Sequence, residues 1–187
     1  MDSRVVAELL VHLGRIASGE RSAEQLTPAQ WTVLRYFARA NRFSRTPSGF
    51  AEFHGTTRGT ASQTIKSMET QGYLIRVRSQ ADGRSARLDL TDKARVILPN
   101  DPIGPLVRAA DALPPGVRGH FTKALQQMLY QVASERGKRQ FGTCASCEHL
   151  NGDYRHQDGS ASYACNCVNE PLELEELKQL CIHFHLA

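Results

Sequence analysis

Apolar residues recur at helical spacing through the first part of the chain. In residues 4–17, RVVAELLVHLGRIA, positions Val5, Leu9, Leu13 and Ile16 stand three or four apart, which predicts an amphipathic helix. Thr27, Pro28 and Gln30 then read as an N-cap, a first-turn proline and the reciprocal partner of the cap, so PAQWTVLRYFARA starts a second helix abruptly. Trp31, Leu34, Tyr36 and Phe37 supply its core bulk. A short helical segment around Pro47 to Phe53 stops at Gly55. In TRGTASQTIKSMETQG, Ala61, Ile65 and Met68 form an apolar line, while Thr57, Arg58, Thr60, Ser62, Gln63 and Lys66 lie on other faces; Gly72 closes the helix as a C-cap.

The period then changes. YLIRVRS and SARLDLT flank QADGR, two alternating runs around an Asp82-Gly83 turn, which predicts a β-hairpin. Two helical stretches follow, Asp92 to Ala112 and Pro115 to Arg139, the first interrupted by Pro99, Pro102 and Pro105. Three helices followed by a hairpin make a winged helix-turn-helix, so the expected fold is mainly α with a small β-hairpin wing. In such a fold the second helix of the pair enters the major groove, where Arg58 can pair with guanine and Gln63 with adenine. Arg76, Arg78, Arg84 and Arg87 line the hairpin, placed to meet phosphates or the minor groove.

Charge sharpens this division. The 187 residues carry a formal net charge of +4, but residues 1–140 hold 21 basic and 12 acidic side chains, a net of +9. Residues 141–187 hold two basic and seven acidic ones, a net of −5, together with all five cysteines. The length suits one core-bearing domain and a small addition, not a large multidomain enzyme. No apolar run approaches the roughly 20 residues needed to span a bilayer. The N-terminus lacks the features of a secretory signal, so a cytoplasmic location is expected. His12, His54 and His120 are isolated, and each is expected to be a packed or surface histidine.

The run LTPAQWTVLRYFARA, followed by TTRGTASQTIKSMETQGYLIRVRSQADGRSARLDLTDKA, resembles the MarR family of bacterial transcription regulators over roughly residues 5 to 140. The resembling features are a Gln-Trp-bearing helix, a Ser/Thr-rich recognition helix ending in Glu-x-x-Gly, and an Asp-x-Arg wing tip. The resemblance implies that Thr57, Arg58, Thr60, Ser62, Gln63 and Lys66 face the groove and that Asp82 and Arg84 form the wing tip. It also implies a homodimer built from the first and last helices, bound to a palindromic operator of double-stranded DNA. Nothing in the sequence announces the small-molecule pocket that some members use.

The tail carries different chemistry. Its cysteines read C-x2-C at Cys144 and Cys147, C-x-C at Cys165 and Cys167, then Cys181, with His183 and His185 just beyond. A C-x2-C turn points two sulfurs the same way, and distant ligands close a loop around one metal centre. The tail has too few large apolar residues for a core of its own, and a metal would supply the missing folding energy. Zinc is one candidate, held by four cysteines or by three with His183 or His185, although zinc ribbons usually have two C-x2-C pairs. An iron–sulfur cluster is the other, and the spacing is similar to that of high-potential iron–sulfur proteins. The expected ligands are Cys144, Cys147, Cys165 and Cys181, with Cys167 as a substitute for Cys165.

A regulator without a ligand pocket needs another input, and a cluster sensitive to oxygen, oxidants or iron supply provides one, which favours the iron–sulfur reading over a structural or sensory zinc. Glu148, Asp153, Glu170 and Glu173 are expected to hold the tail off DNA, dock it onto the basic helices, or simply keep it soluble. The expected layout is a dimerisation helix in 1–26, the DNA-binding unit in 27–91, further dimerisation helices in 92–140 and a metal-bound tail in 141–187. The chain is expected to be a repressor, not an enzyme. A thiol oxidoreductase using Cys144 and Cys147 is a second alternative, but its usual βαβ setting is missing from the flanking sequence. A protein-interaction module that does not bind DNA is a third.

Overall fold

The computed structural model describes residues 2–19, 26–78, 86–155 and 161–187. Helix α1 spans Ser3–Gly19 and α2 spans Pro28–Arg39. The start of α2 is fixed reciprocally: Thr27 Oγ1 accepts from the Gln30 N–H at 3.3 Å, and Gln30 Oε1 accepts from the Thr27 N–H at 2.8 Å. Helix α3 (Pro47–His54) begins behind Thr46, whose Oγ1 accepts from the Gly49 N–H at 3.0 Å. It ends at Gly55, which adopts the left-handed conformation with φ +62°. Helix α4 (Arg58–Thr70) is capped by Thr57.

Trp31, Val33, Leu34, Tyr36 and Phe37 of α2 are buried against Phe50 and Ala51 of α3 and Ala61, Ile65 and Met68 of α4. Strands β1 (Leu74–Arg78) and β2 (Ala86–Leu90) pair antiparallel, with Leu74 opposite Leu90 and Arg76 opposite Leu88. Leu74, Leu88 and Leu90 face the core and pin the hairpin to it, whereas Ile75 and Val77 on the other face are exposed. Helix α5 (Asp92–Ile97) runs into a 3-10 turn, followed by α6 (Gly104–Asp111) and α7 (Pro115–Glu135). The prolines cut the first stretch into pieces, as their missing N–H groups require. The fold is a winged helix-turn-helix flanked by helices, and among the described residues no helix is long and apolar enough to cross a membrane.

The regular structure described in residues 142–187 is five short strands and two 3-10 turns. Strand β3 (Gly142–Thr143) pairs with β7 (Leu180–Cys181), while β4 (Leu150–Arg155), β5 (Ala161–Cys165) and β6 (Glu170–Leu172) form an antiparallel sheet in that order. This segment is not suspended from α7; it is built into the winged-helix unit. Leu180 is buried in the same core as Trp31 and Phe37, bridges Ala40, and accepts the Asn41 N–H at 2.9 Å. Arg42 donates to Glu176 at 2.6 Å, to the Pro171 carbonyl at 2.6 Å and to Glu170 at 3.2 Å. Glu170 thus helps tie the tail to the winged-helix unit, through an arginine in the turn after α2 and not through the basic helices as expected. Phe141 packs edge-on to Phe53, and Tyr130 stacks on Phe184. A Cβ at position 142 would overlap the Phe184 ring, so the chain passes there only as glycine. A segment with little apolar area of its own gains burial by sharing a neighbour's core.

Candidate DNA-reading face and cysteine centre

Helix α4 presents two opposed faces. Ala61, Ile65 and Met68 are buried, whereas Arg58, Thr60, Ser62, Gln63 and Lys66 are all exposed. Thr57 is also exposed, but its Oγ1 caps the helix by accepting the Thr60 N–H at 3.1 Å and lies 2.9 Å from Thr60 Oγ1. Those two hydroxyls are therefore partly committed to the helix end. On the wing, the Arg76 guanidinium is gripped by Glu69 of α4, with Nε 2.7 Å from Oε1 and Nη2 3.1 Å from Oε2. Arg76 thus braces the wing against the recognition helix while keeping about half its side chain exposed. Arg87 is half-buried. The tip residues Asp82 and Arg84, and the side chain of Arg78, lie outside the described residues.

The isolated histidines take structural positions or stay exposed. The His54 ring lies tilted beside Phe50, centroids 4.9 Å apart, with burial and then Arg35 holding its pKa below the ordinary value. His120 Nδ1 lies 2.7 Å from the Gly116 carbonyl one turn back, and His12 is exposed on α1.

Cys144 and Cys165 are buried in one small cluster with Leu172, and Cys181 is buried beside it at the end of β7. Burial pushes the Cys144 thiol up to about 12, and Cys181, Cys147 and Cys165 add to the shift as the charges facing it. Cys181 is raised in turn by burial, with Cys165 and Cys147 contributing. Cys147, Cys165 and Cys181 thus lie near enough to Cys144 to act on its charge. Cys167 is exposed, and the cysteines acting on it are Cys165 and Cys147 alone. No three of the five sulfurs lie within 4.8 Å of one another. A tetrahedral zinc with bonds of about 2.3 Å holds its sulfurs about 3.8 Å apart, a tighter set than this one.

The winged-helix unit also contributes beside Cys181. Asn41, in the turn between α2 and α3, is fully buried. Its Oδ1 accepts from the Ser44 N–H at 3.1 Å and the Ser44 hydroxyl at 2.7 Å, and Ser44 Oγ accepts the Ile182 N–H at 2.8 Å. Its Nδ2 makes no hydrogen bond of ordinary geometry, yet lies close enough to Cys181 to favour the thiolate there. The His183 N–H also donates to Cys181 Sγ, at 3.3 Å. A buried amide donor left without a bond is costly, and a sulfur carrying more negative charge is the acceptor that would relieve it. Sequence reasoning missed Asn41, Arg42 and Ser44 because a polar tripeptide-sized turn has no periodicity and its partners lie some 130 residues away.

A redox nucleophile at Cys144 is disfavoured on physical grounds, since such chemistry needs a depressed thiol and this one is raised. Two cavities adjoin these elements. One, of about 150 Å³, lies between α2 and α3 and is lined by residues including Arg35, Tyr36, Phe53, His54 and Leu180. The other is a polar surface cleft of about 590 Å³ between the end of α7 and the C-terminal segment, lined by Lys138, Arg139, Phe184 and His185 among others.

A sequence model of the MarR family matches residues 24–85. No curated protein matches the chain. Solved structures similar in fold include the transcriptional regulator PA3341, 21% identical, covering 70% of this chain and 97% of that one with a TM-score of 0.58. A MarR/EmrR family transcriptional regulator from Acinetobacter sp. ADP1 is 13% identical, covers 70% and 96%, and has a TM-score of 0.57. A MarR transcriptional regulator from Methanosarcina mazei Go1 is 17% identical, covers 71% and 99%, and has a TM-score of 0.54. In each pairing about three tenths of this chain has no counterpart. The chain therefore has the winged helix-turn-helix fold of MarR-type regulators, with the match to the MarR family itself lying on residues 24–85.

Proposed function

We propose that this chain is a MarR-type transcriptional regulator that binds a palindromic DNA operator as a homodimer and whose affinity is set by its cysteine centre. The observation that carries the DNA reading is the division of α4, anchored by Ala61, Ile65 and Met68 with Arg58, Ser62, Gln63 and Lys66 exposed. Arg58 and Gln63 supply base contacts; Lys66, Arg87 and the wing arginines supply phosphate contacts. Dimerisation is supported by large apolar side chains left exposed on the outer helices, among them Leu9 and Ile16 of α1 and Leu129 of α7. Repression follows where the operator overlaps a promoter.

The cysteine centre holds an iron–sulfur cluster through Cys144, Cys147, Cys165 and Cys181. Support comes from the burial of Cys144, Cys165 and Cys181, from the proximity of Cys147, Cys165 and Cys181 to Cys144, and from the buried Asn41 amide, without a hydrogen-bond partner, beside Cys181. The cluster would supply redox- and oxygen-sensitive ligation to the tail. Cys181 lies between Leu180, seated in the DNA-binding core, and Ile182, bonded to Ser44 in the α2–α3 turn. Loss of the centre frees β7 to shift, and the turn that seats α3 against α4 shifts with it. A coupling of about 1–3 kcal/mol changes operator affinity roughly 5- to 150-fold.

The test is anaerobic purification followed by visible absorption and assay of iron and acid-labile sulfide. Broad absorption near 400 nm with both elements present is expected; a colourless, zinc-loaded sample refutes the cluster. DNA reading is tested with duplexes selected from a randomised pool by the purified protein. Binding that neither favours a sequence nor weakens with salt refutes it.

A further inference from the structure

Three ligating side chains that neither the DNA face nor the cysteine centre uses meet at the edge of the tail. Glu148 and His149 occupy the turn between Cys147 and β4, and His185 lies in the C-terminal segment beyond Cys181. Backbone bonds hold the two segments together. Cys147 bridges Leu186, the Glu148 N–H donates to the His185 carbonyl at 3.0 Å, and the Ala187 N–H donates to the Ser146 carbonyl at 3.2 Å. On the other side, the His149 carbonyl accepts the Asn166 N–H at 2.8 Å.

With the backbones fixed in this way, His149 Nε2 lies 3.8 Å and His185 Nδ1 3.7 Å from the same Glu148 Oε1. The two rings are 5.2 Å apart. All three donor atoms lie within 4.8 Å of one another, and among the described residues no other three His, Cys, Asp or Glu side chains come so close. Glu148 has no Lys or Arg ion pair among the described residues.

We propose that Glu148, His149 and His185 bind a divalent first-row transition ion of the zinc or nickel type, at a site separate from the cysteine centre. Two imidazole nitrogens and one carboxylate oxygen are the donors such ions take, whereas magnesium and calcium require oxygen ligands and thiolate-seeking ions favour the cysteines. Bonds of about 2.1 Å in a tetrahedral arrangement place donor atoms about 3.4 Å apart, so the observed set closes on an ion with small side-chain rotations. The side chains are 51, 26 and 69% exposed for Glu148, His149 and His185, which leaves the remaining position to water and makes the ion exchangeable. Its ligands lie on both segments that flank the cysteine centre, next to Cys147 and four residues after Cys181. The ion therefore acts as a clasp at the edge of that centre, giving the protein a metal input in addition to whatever the cysteines hold.

The test is calorimetric titration of Zn2+ into the anaerobically purified full chain, comparing wild type with Glu148→Gln, His149→Ala and His185→Ala. The side chains are partly or largely exposed, so the variants are expected to keep the wild-type urea midpoint and the same iron and sulfide content. Each variant is expected to lose one equivalent of Zn2+, or to bind it at least about tenfold more weakly. Full stoichiometry and affinity in His149→Ala would overturn the proposal. So would an effect confined to His185→Ala, which would assign that histidine to the cysteine centre. The first outcome leaves the cluster reading untouched, since the loss is counted relative to whatever ion occupancy the cysteines show in wild type; the second would also revise that reading, by adding a histidine to its ligands.

Discussion

Replacing Asn41 with alanine should have an effect that depends on whether the cysteine centre is loaded. In the empty protein two changes oppose each other. The Ser44 N–H and hydroxyl lose the oxygen that accepts them at 3.1 and 2.7 Å, and the unmatched Nδ2 donor disappears. Each amounts to about 1–3 kcal/mol, so the net change in the empty form is expected within about 2 kcal/mol of zero. In the loaded form Cys181 is a thiolate, and the same Nδ2 gains a charged acceptor, a bond contributing about 1.5–3 kcal/mol. Asn41→Ala should therefore destabilise the loaded protein more than the empty one by about 1.5–3 kcal/mol, equivalent to roughly a 10- to 150-fold loss in affinity for the bound group. Urea unfolding under anaerobic reducing conditions, on loaded and chelator-stripped protein, measures both forms. Ser44→Ala is the control, because it breaks the Ser44 side of the network and leaves Nδ2 in place. Equal shifts of loaded and empty protein in Asn41→Ala would refute the reasoning.

Leu180→Ala should lower stability by about 2–5 kcal/mol in equilibrium unfolding, the range for a buried leucine, because this tail residue fills the winged-helix core. A change below about 1 kcal/mol would mean that the tail is not part of that core. Leu129, 68% exposed on α7, should tolerate Leu129→Glu with little effect on the fold, while sedimentation shows monomers and operator binding is lost; an unchanged dimer would exclude this face. The empty protein should also lose stability at high pH. The folded Cys144 thiol is raised from 9.0 to about 12 by burial, so its contribution is intact below about 9 and is lost as pH rises toward 12. Unfolding midpoints of wild type and Cys144→Ala across that window should show a steeper decline for wild type, and parallel profiles would count against it.

Much of the fold was written locally in the sequence. Thr27, Thr46 and Thr57 cap helices within three residues of themselves, and Gly55 and Gly72 end them at positive φ. The spacing of Ala61, Ile65 and Met68 fixed which face of α4 is buried and so which residues stand exposed on the other. The alternation around residues 74–90 fixed the wing, and the cysteine spacing singled out Cys144, Cys147, Cys165 and Cys181 as candidate metal ligands. These features depend on residues a turn apart, where geometry leaves few choices. The sequence could not show that Leu180 belongs to the core of α2, that Asn41 turns its amide toward Cys181, or that His185 meets Glu148 and His149. Such partners are far apart along the chain, and their pairing is decided by which long loops close and which polar groups burial forces to find one another.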